Sequence, residues 1–128
     1  MNSIPKGWPA DWVGESIAEL GVGERIRCEI FLVDGHTPLH VQNYADMMEQ
    51  WSELWSTARK LIQTMLADYD RDTTIKSQGN YLKITIPAER ISEGAVWSIA
   101  LQKAEGDGVW EASFEGWDIS PEESQPYF

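Results

Sequence analysis

The stretch that decides the fold is residues 44–69, YADMMEQWSELWSTARKLIQTMLADY. Met47, Leu54 and Leu61 recur every seven residues, as do Trp51, Ala58 and Met65, and Met48, Trp55, Ile62 and Tyr69 form a third series beside them. Three neighbouring heptad series make one wide apolar stripe, the pattern of a helix laid against a sheet or a bundle. Glu49, Glu53, Arg59, Lys60 and Gln63 lie mostly off the stripe. Asn43 reads as the N-cap, with Asp46 three residues later as its capping-box partner. The expectation is one continuous helix over 44–69, roughly 39 Å long at the usual rise per residue. It ends near Tyr69–Asp72, where acids meet the negative end of the helix dipole.

Outward from this helix the pattern changes to period two. In ERIRCEIFLV (24–33), Ile26, Cys28, Ile30 and Leu32 fall on one face. In YLKITI (81–86), Leu82, Ile84 and Ile86 do the same, and Pro87 stops the run. AVWSIALQK (95–103) and VWEASFEGW (109–117) place Trp97, Ile99 and Leu101, then Trp110, Ala112 and Phe114, on one side. Strict alternation in residues of this kind reads as half-buried strands. The glycine-rich loop Glu105-Gly106-Asp107-Gly108 makes the last two a hairpin. Before Gly21, DWVGESIAEL (11–20) reads as a short helix with Asp11 as cap, weakened by Gly14. Asp34-Gly35 is a turn, and Pro38–Val41 begins a short second strand. Residues 1–10 read as an irregular arm and 119–128 as a polar tail on a single domain spanning 1–128. The grouping gives an α+β fold, one mostly antiparallel sheet covered on one face by the long helix.

A chain of 128 residues buries roughly two-thirds of its unfolded surface, enough for one real core. It carries 21 acids against 10 Lys and Arg, a net charge of −11. Such a field repels nucleic acid and anionic membrane surfaces, so neither is expected as a partner. Residues 89–128 hold nine of the acids against Arg90 and Lys103 alone. This reads as a solvated face or as a surface that steers a basic partner. No apolar run reaches the length of a membrane span. The lone Cys28 cannot form an internal disulfide, which suits a cytoplasmic location.

Motifs for chemistry are few. Asp34-Gly35-His36-Thr37-Pro38-Leu39-His40 is the one concentration of catalytic residue types. Gly35 and Pro38 argue for an extended segment, and an extended i, i+4 pair stands ~13 Å apart, too far to share an ion. No metal site and no cofactor are therefore expected. There is no nucleophile elbow, no phosphate-binding loop and no Cys-x-x-Cys. No catalytic residue is assigned.

The seven tryptophans are the second unusual feature. Trp51 and Trp55 sit on the helix stripe, and Trp97 and Trp110 form a cross-strand or same-face cluster. Trp8, Trp12 and Trp117 have no periodic explanation, and tryptophan is enriched at interfaces. In composition the chain resembles small acidic bacterial α+β proteins, some of which neutralise toxins as immunity proteins; the likeness carries no motif and transfers no site residue.

The reading that follows is a non-enzymatic module binding a basic protein through Glu105, Asp107, Glu111, Glu115, Trp117 and Asp118. One alternative is a ligand-binding or enzymatic pocket between helix and sheet, using Trp51, Trp55, Trp97 or His36. The other is a homo-oligomer built by edge pairing of residues 109–117.

Overall fold

The computed structural model describes residues 12–21, 24–34, 37–75, 79–103 and 108–127; for 12–21 and 24–27 it describes the backbone. The strands are β1 (Trp12–Gly21), β2 (Glu24–Leu32), β3 (Tyr81–Ile86), β4 (Val96–Gln102), β5 (Val109–Glu115), β6 (Asp118–Ile119) and β7 (Gln125–Tyr127). Two helices, α1 (Pro38–Glu49) and α2 (Trp51–Asp68), connect β2 to β3. The sheet runs β1-β2-β3-β4-β5-β6, with β7 also paired to β5. Among the described residues only the β2–β3 pair is parallel, so the sheet is mixed and mostly antiparallel, and the fold is α+β. The parallel step is physically required to be long, since the chain must return to the same end of the sheet. The two helices supply that return. No helix among the described residues is long and apolar enough to cross a membrane.

The alternating strands bury the side expected. Cys28, Ile30, Leu32, Leu82, Ile84, Ile86, Trp97, Ile99, Leu101, Trp110, Ala112 and Phe114 form one core with Met47, Leu54, Trp55, Ala58, Ile62, Met65 and Leu66 of the helices. Trp51, Leu61 and Met48 pack on its margin, partly exposed. Trp97 stacks across the hairpin on Phe114, ring centroids 4.4 Å apart, and Trp110 meets the edge of Tyr69 at 5.5 Å. Trp97 and Trp110 thus share the core face of the hairpin, as expected, but each has its own aromatic partner in place of a direct cross-strand contact. The reason is register: Trp97 stands opposite Phe114, and Trp110 opposite Leu101.

Several expectations are corrected. Residues 12–21 form a strand, not a helix, and β1 pairs antiparallel with β2 from Trp12↔Phe31 to Gly21↔Glu24. Trp12, Ile17 and Leu20 lack a helical stripe, and Gly14 disfavours a helix; pairing with a strand two residues beyond Gly21 wins. Asp11 and the arm 1–10 lie outside the described residues. Residues 38–41 open α1 rather than a strand, because Pro38 sits in the first turn, where its missing N–H costs nothing.

The helix over 44–69 is not continuous. It starts at Pro38, and Gln50 separates α1 from α2 with φ −111° and ψ 11°. The stripe carries on across the joint, so periodicity alone does not reveal the break. Thr37 is the cap of α1: its hydroxyl accepts from the His40 amide, and His40 Nδ1 accepts from the Thr37 amide at 3.1 Å. Asn43 lies inside α1, 1% exposed. Its Nδ2 donates to the Pro87 and Glu89 carbonyls at 3.1 and 2.8 Å, and its Oδ1 accepts from the Ile91 amide at 3.3 Å. It clamps the chain between β3 and β4 onto the helix. At the other end of α2, Asp70 takes φ 56°, the Arg71 amide reaches Leu66 O at 2.8 Å and the Asp70 amide reaches Ala67 O at 3.0 Å. This is a Schellman termination with aspartate in the left-handed position.

The expected tail is part of the sheet. β6 pairs Phe114 and Glu115, and β7 pairs Val109 to Glu111, along the same outer edge of β5. In the gap between them a 3₁₀ turn, Pro121–Glu123, steps outward. There the Ser113 amide donates to Ser124 Oγ at 2.9 Å, and the Ser113 carbonyl accepts from the Ser120 amide at 2.8 Å. Buried or edge backbone groups need partners, and these contacts satisfy the middle of β5.

Candidate functional site

Glu115-Gly116-Trp117-Asp118 is the turn between β5 and β6, with Glu115 directly opposite Asp118. Gly116 takes φ +61°, as the first central residue of a primed turn does, and glycine reaches that region without penalty. A Cβ there would also stand 3.3 Å from the Ile91 carbonyl oxygen. The turn is held from the start of β4. The Gly116 amide donates to Ala95 O at 2.9 Å, and its carbonyl accepts from Trp97 Nε1 at 2.7 Å. Trp117 meets Trp97 edge-on, centroids 6.2 Å apart.

Facing the turn is the 3₁₀ turn Ile91–Glu93, closed by Gly94 at φ 95°. Between the two lies an open groove of about 680 Å³, lined by Ile91, Ser92, Gly94, Glu115, Gly116, Trp117, Asp118, Ile119 and Ser120. Of these, Ile91 and Gly116 are buried, Trp117 and Ile119 half-buried and Glu115 and Asp118 exposed, with no Lys or Arg among the lining residues. Among the described residues neither carboxylate has a hydrogen bond or an ion pair. Like charges directly opposite on paired strands destabilise the pair. The adjacent row extends to Val96, opposite Glu115 and 66% exposed.

Of the six residues singled out from the sequence, three therefore meet: Glu115, Trp117 and Asp118. Glu111 stands nearer the other end of β5, where the Tyr127 hydroxyl reaches its Oε1 at 3.4 Å. Glu105 and Asp107 lie outside the described residues. Trp117, without a periodic explanation in the sequence, is half-buried against Trp97. Ile91, Ser92, Gly94 and Ile119 were not singled out. Glu93-Gly94 carries a turn signal, but only the folded chain shows that this turn meets Gly116.

The other candidate chemistry resolves differently. His40 lies in the first turn of α1, not in an extended segment, and is fully buried. Its Nδ1 accepts from Thr37, so the proton sits on Nε2, which donates to Val33 O at 2.7 Å. Both ring nitrogens are therefore occupied, Nδ1 in the Thr37 cap and Nε2 on the Val33 carbonyl. His36 lies outside the described residues. Among the described residues no three of His, Cys, Asp and Glu stand together as metal ligands.

A second open groove, about 620 Å³, runs along α1 past Thr37, Pro38, Leu39, Gln42, Asp46, Ala88 and Arg90. Trp51, Trp55 and Trp97, the residues of the pocket alternative, line neither groove. Edge pairing of residues 109–117 with a second copy is blocked, because β6 and β7 already occupy that edge. No protein-family model matches the chain, no curated protein matches its sequence, and no solved structure matches its fold.

Proposed function

We propose that the chain is a non-catalytic module that binds a basic protein at the groove beside the β5–β6 turn, a role of the kind immunity proteins fill. The observation that carries this reading is the unrelieved Glu115–Asp118 pair beside Trp117. Folding alone gains nothing from two opposed carboxylates, and a cationic partner relieves the repulsion. The net charge of −11 adds long-range attraction, which acts mainly on the association rate. In this reading the helical layer covers the core face of the sheet, the β5–β6 end is left to the partner, and the buried Cys28 fits a reducing cytoplasm.

The test is comparative capture from native lysate with the wild-type chain and a Glu115→Gln, Asp118→Asn variant. A basic protein is expected on the first and lost from the second. Its association rate should fall with ionic strength, and fall less steeply for the variant. A partner retained equally by both chains would refute the assignment to this groove.

A further inference from the structure

We propose that two copies of the chain pair antiparallel through the outer edge of β1, about a two-fold axis at Ser16, and so join two sheets into one. The two edges of the sheet differ. At the far edge β5 is closed by β6 and β7, strands of two and three residues, and β7 carries Pro126. At the near edge stands β1, ten residues long. It is paired on one side with β2 and, among the described residues, has no strand on the other. An unpaired row of backbone N–H and C=O groups is a template for another strand, and proline or lysine is a common guard. Residues 12–21 contain neither.

Register and charge identify the occupant as a second copy. Register shifts between Trp12 and Gly14 and between Glu19 and Gly21 leave 14–19 as the regular part of β1. Opposite residues of an antiparallel pair share a face, so identical strands meet about a two-fold with one residue facing its own copy. Centres at Ser16 and at Ile17 are the two that keep the pairing longest within 14–19. A centre at Ile17 sets Glu15 opposite Glu19 of the second copy, twice, and like charges directly opposite are destabilising. A centre at Ser16 sets Glu15 opposite Ile17 and Gly14 opposite Ala18, and opposes no two acids. The edge is thus complementary to itself at one register. The helices leave room for it, since α1 packs on β3 and α2 on β4 and β5. From β3 to β3 of the second copy is five strand spacings, roughly 24 Å, against the ~10 Å width of a helix.

One strand pair buries less than the ~1,200–2,000 Å² of a stable interface, so the dimer should be weak and depend on concentration. The experiment is sedimentation equilibrium of the full chain up to the millimolar range. The mass should rise from 14.5 kDa towards twice that value. Added salt should favour the dimer, because two chains of charge −11 repel and salt screens them. Binding of a basic protein at the β5–β6 groove has the opposite salt dependence, so the two readings fail separately. A monomer mass at every concentration and salt would overturn the pairing. Disulfide trapping reads the register. With the axis at Ser16, that residue stands about 4.5–5.5 Å from its own copy, within disulfide reach, and Ile17 about 7–8 Å from its copy, beyond it. Ser16→Cys should cross-link on oxidation several-fold faster than Ile17→Cys. The wild-type chain, whose one cysteine is the buried Cys28, should not cross-link. Equal trapping through both variants, or faster trapping through Ile17→Cys, would overturn the proposal.

Discussion

Replacing Asn43 separates the clamp seen in the fold from the cap expected of the sequence. As an N-cap, asparagine and aspartate are close to equivalent, and alanine costs ~1 kcal/mol. As the clamp seen in the fold, the side chain must both donate and accept. Asn43→Ala removes bonds to Pro87 O, Glu89 O and Ile91 N–H, and at roughly 1 kcal/mol net for each the loss is about 3 kcal/mol. Pro87 and Ile91 are buried, so their groups gain no water in exchange; Glu89 is exposed, and its carbonyl can be rehydrated. Asn43→Asp keeps an acceptor for Ile91 but sets carboxylate oxygens against two carbonyl oxygens at a site 1% exposed. It should cost at least as much as alanine, because a buried charge is added to the lost donors. Urea unfolding followed by tryptophan fluorescence reads both variants. With a slope of about 1–3 kcal/mol per molar, the midpoint should fall by about 1–3 M at unchanged slope. An aspartate variant within about 0.5 kcal/mol of wild type would refute the clamp and restore the cap.

Further outcomes follow from the same contacts. Leu54→Ala should cost about 2–5 kcal/mol in urea unfolding and Leu61→Ala clearly less, since Leu54 is buried and Leu61 half-exposed; the reverse order would mean the apolar face of α2 is rotated. Gly116→Ala should lower the melting temperature more than Gly94→Ala, because both positions have positive φ but only the first brings its Cβ to 3.3 Å from a carbonyl oxygen; equal losses would remove the steric argument. Glu115→Gln should leave stability unchanged or raise it by a few tenths of a kcal/mol while slowing partner association, and a marked loss of stability would show the carboxylate to be structural. Purified protein should hold no stoichiometric transition metal at His40, since Nδ1 is taken by Thr37 and Nε2 by the Val33 carbonyl; bound metal that disappears with His40→Ala would contradict that geometry.

Much of the fold is legible in residue order. Alternation in 26–32, 82–86, 97–101 and 110–114 marks the core side of each strand, because a strand projects successive side chains to opposite faces. The stripe from Met47 to Met65 marks the helical core for the corresponding reason at period 3.6. The misreadings at 11–20, at 38–41 and at Asn43 occur where local preference is weak or shared. Thr37-Pro38 is as good a helix start as Asn43, and with few apolar residues between them the pattern does not choose. The joint at Gln50 is hidden because the same apolar residues serve helices on either side of it.

The candidate site divides in the same way. Glu115, Trp117 and Asp118 stand out in sequence through charge and an unexplained aromatic residue. Their separation from Glu111, the wall formed by Ile91–Gly94, and the closure of the β5 edge by β6 and β7 do not. By itself the sequence determined which residues are apolar at which period, hence the helical stripe, the core side of β2, β3, β4 and β5 and the acidic character of the surface. Only the tertiary structure decided strand order, the single parallel pair, the clamp at Asn43 and the groove. These depend on contacts between residues far apart in the chain, Asn43 with Ile91 and Ala95 with Gly116, and no local preference encodes which distant partner a backbone or side-chain group will meet.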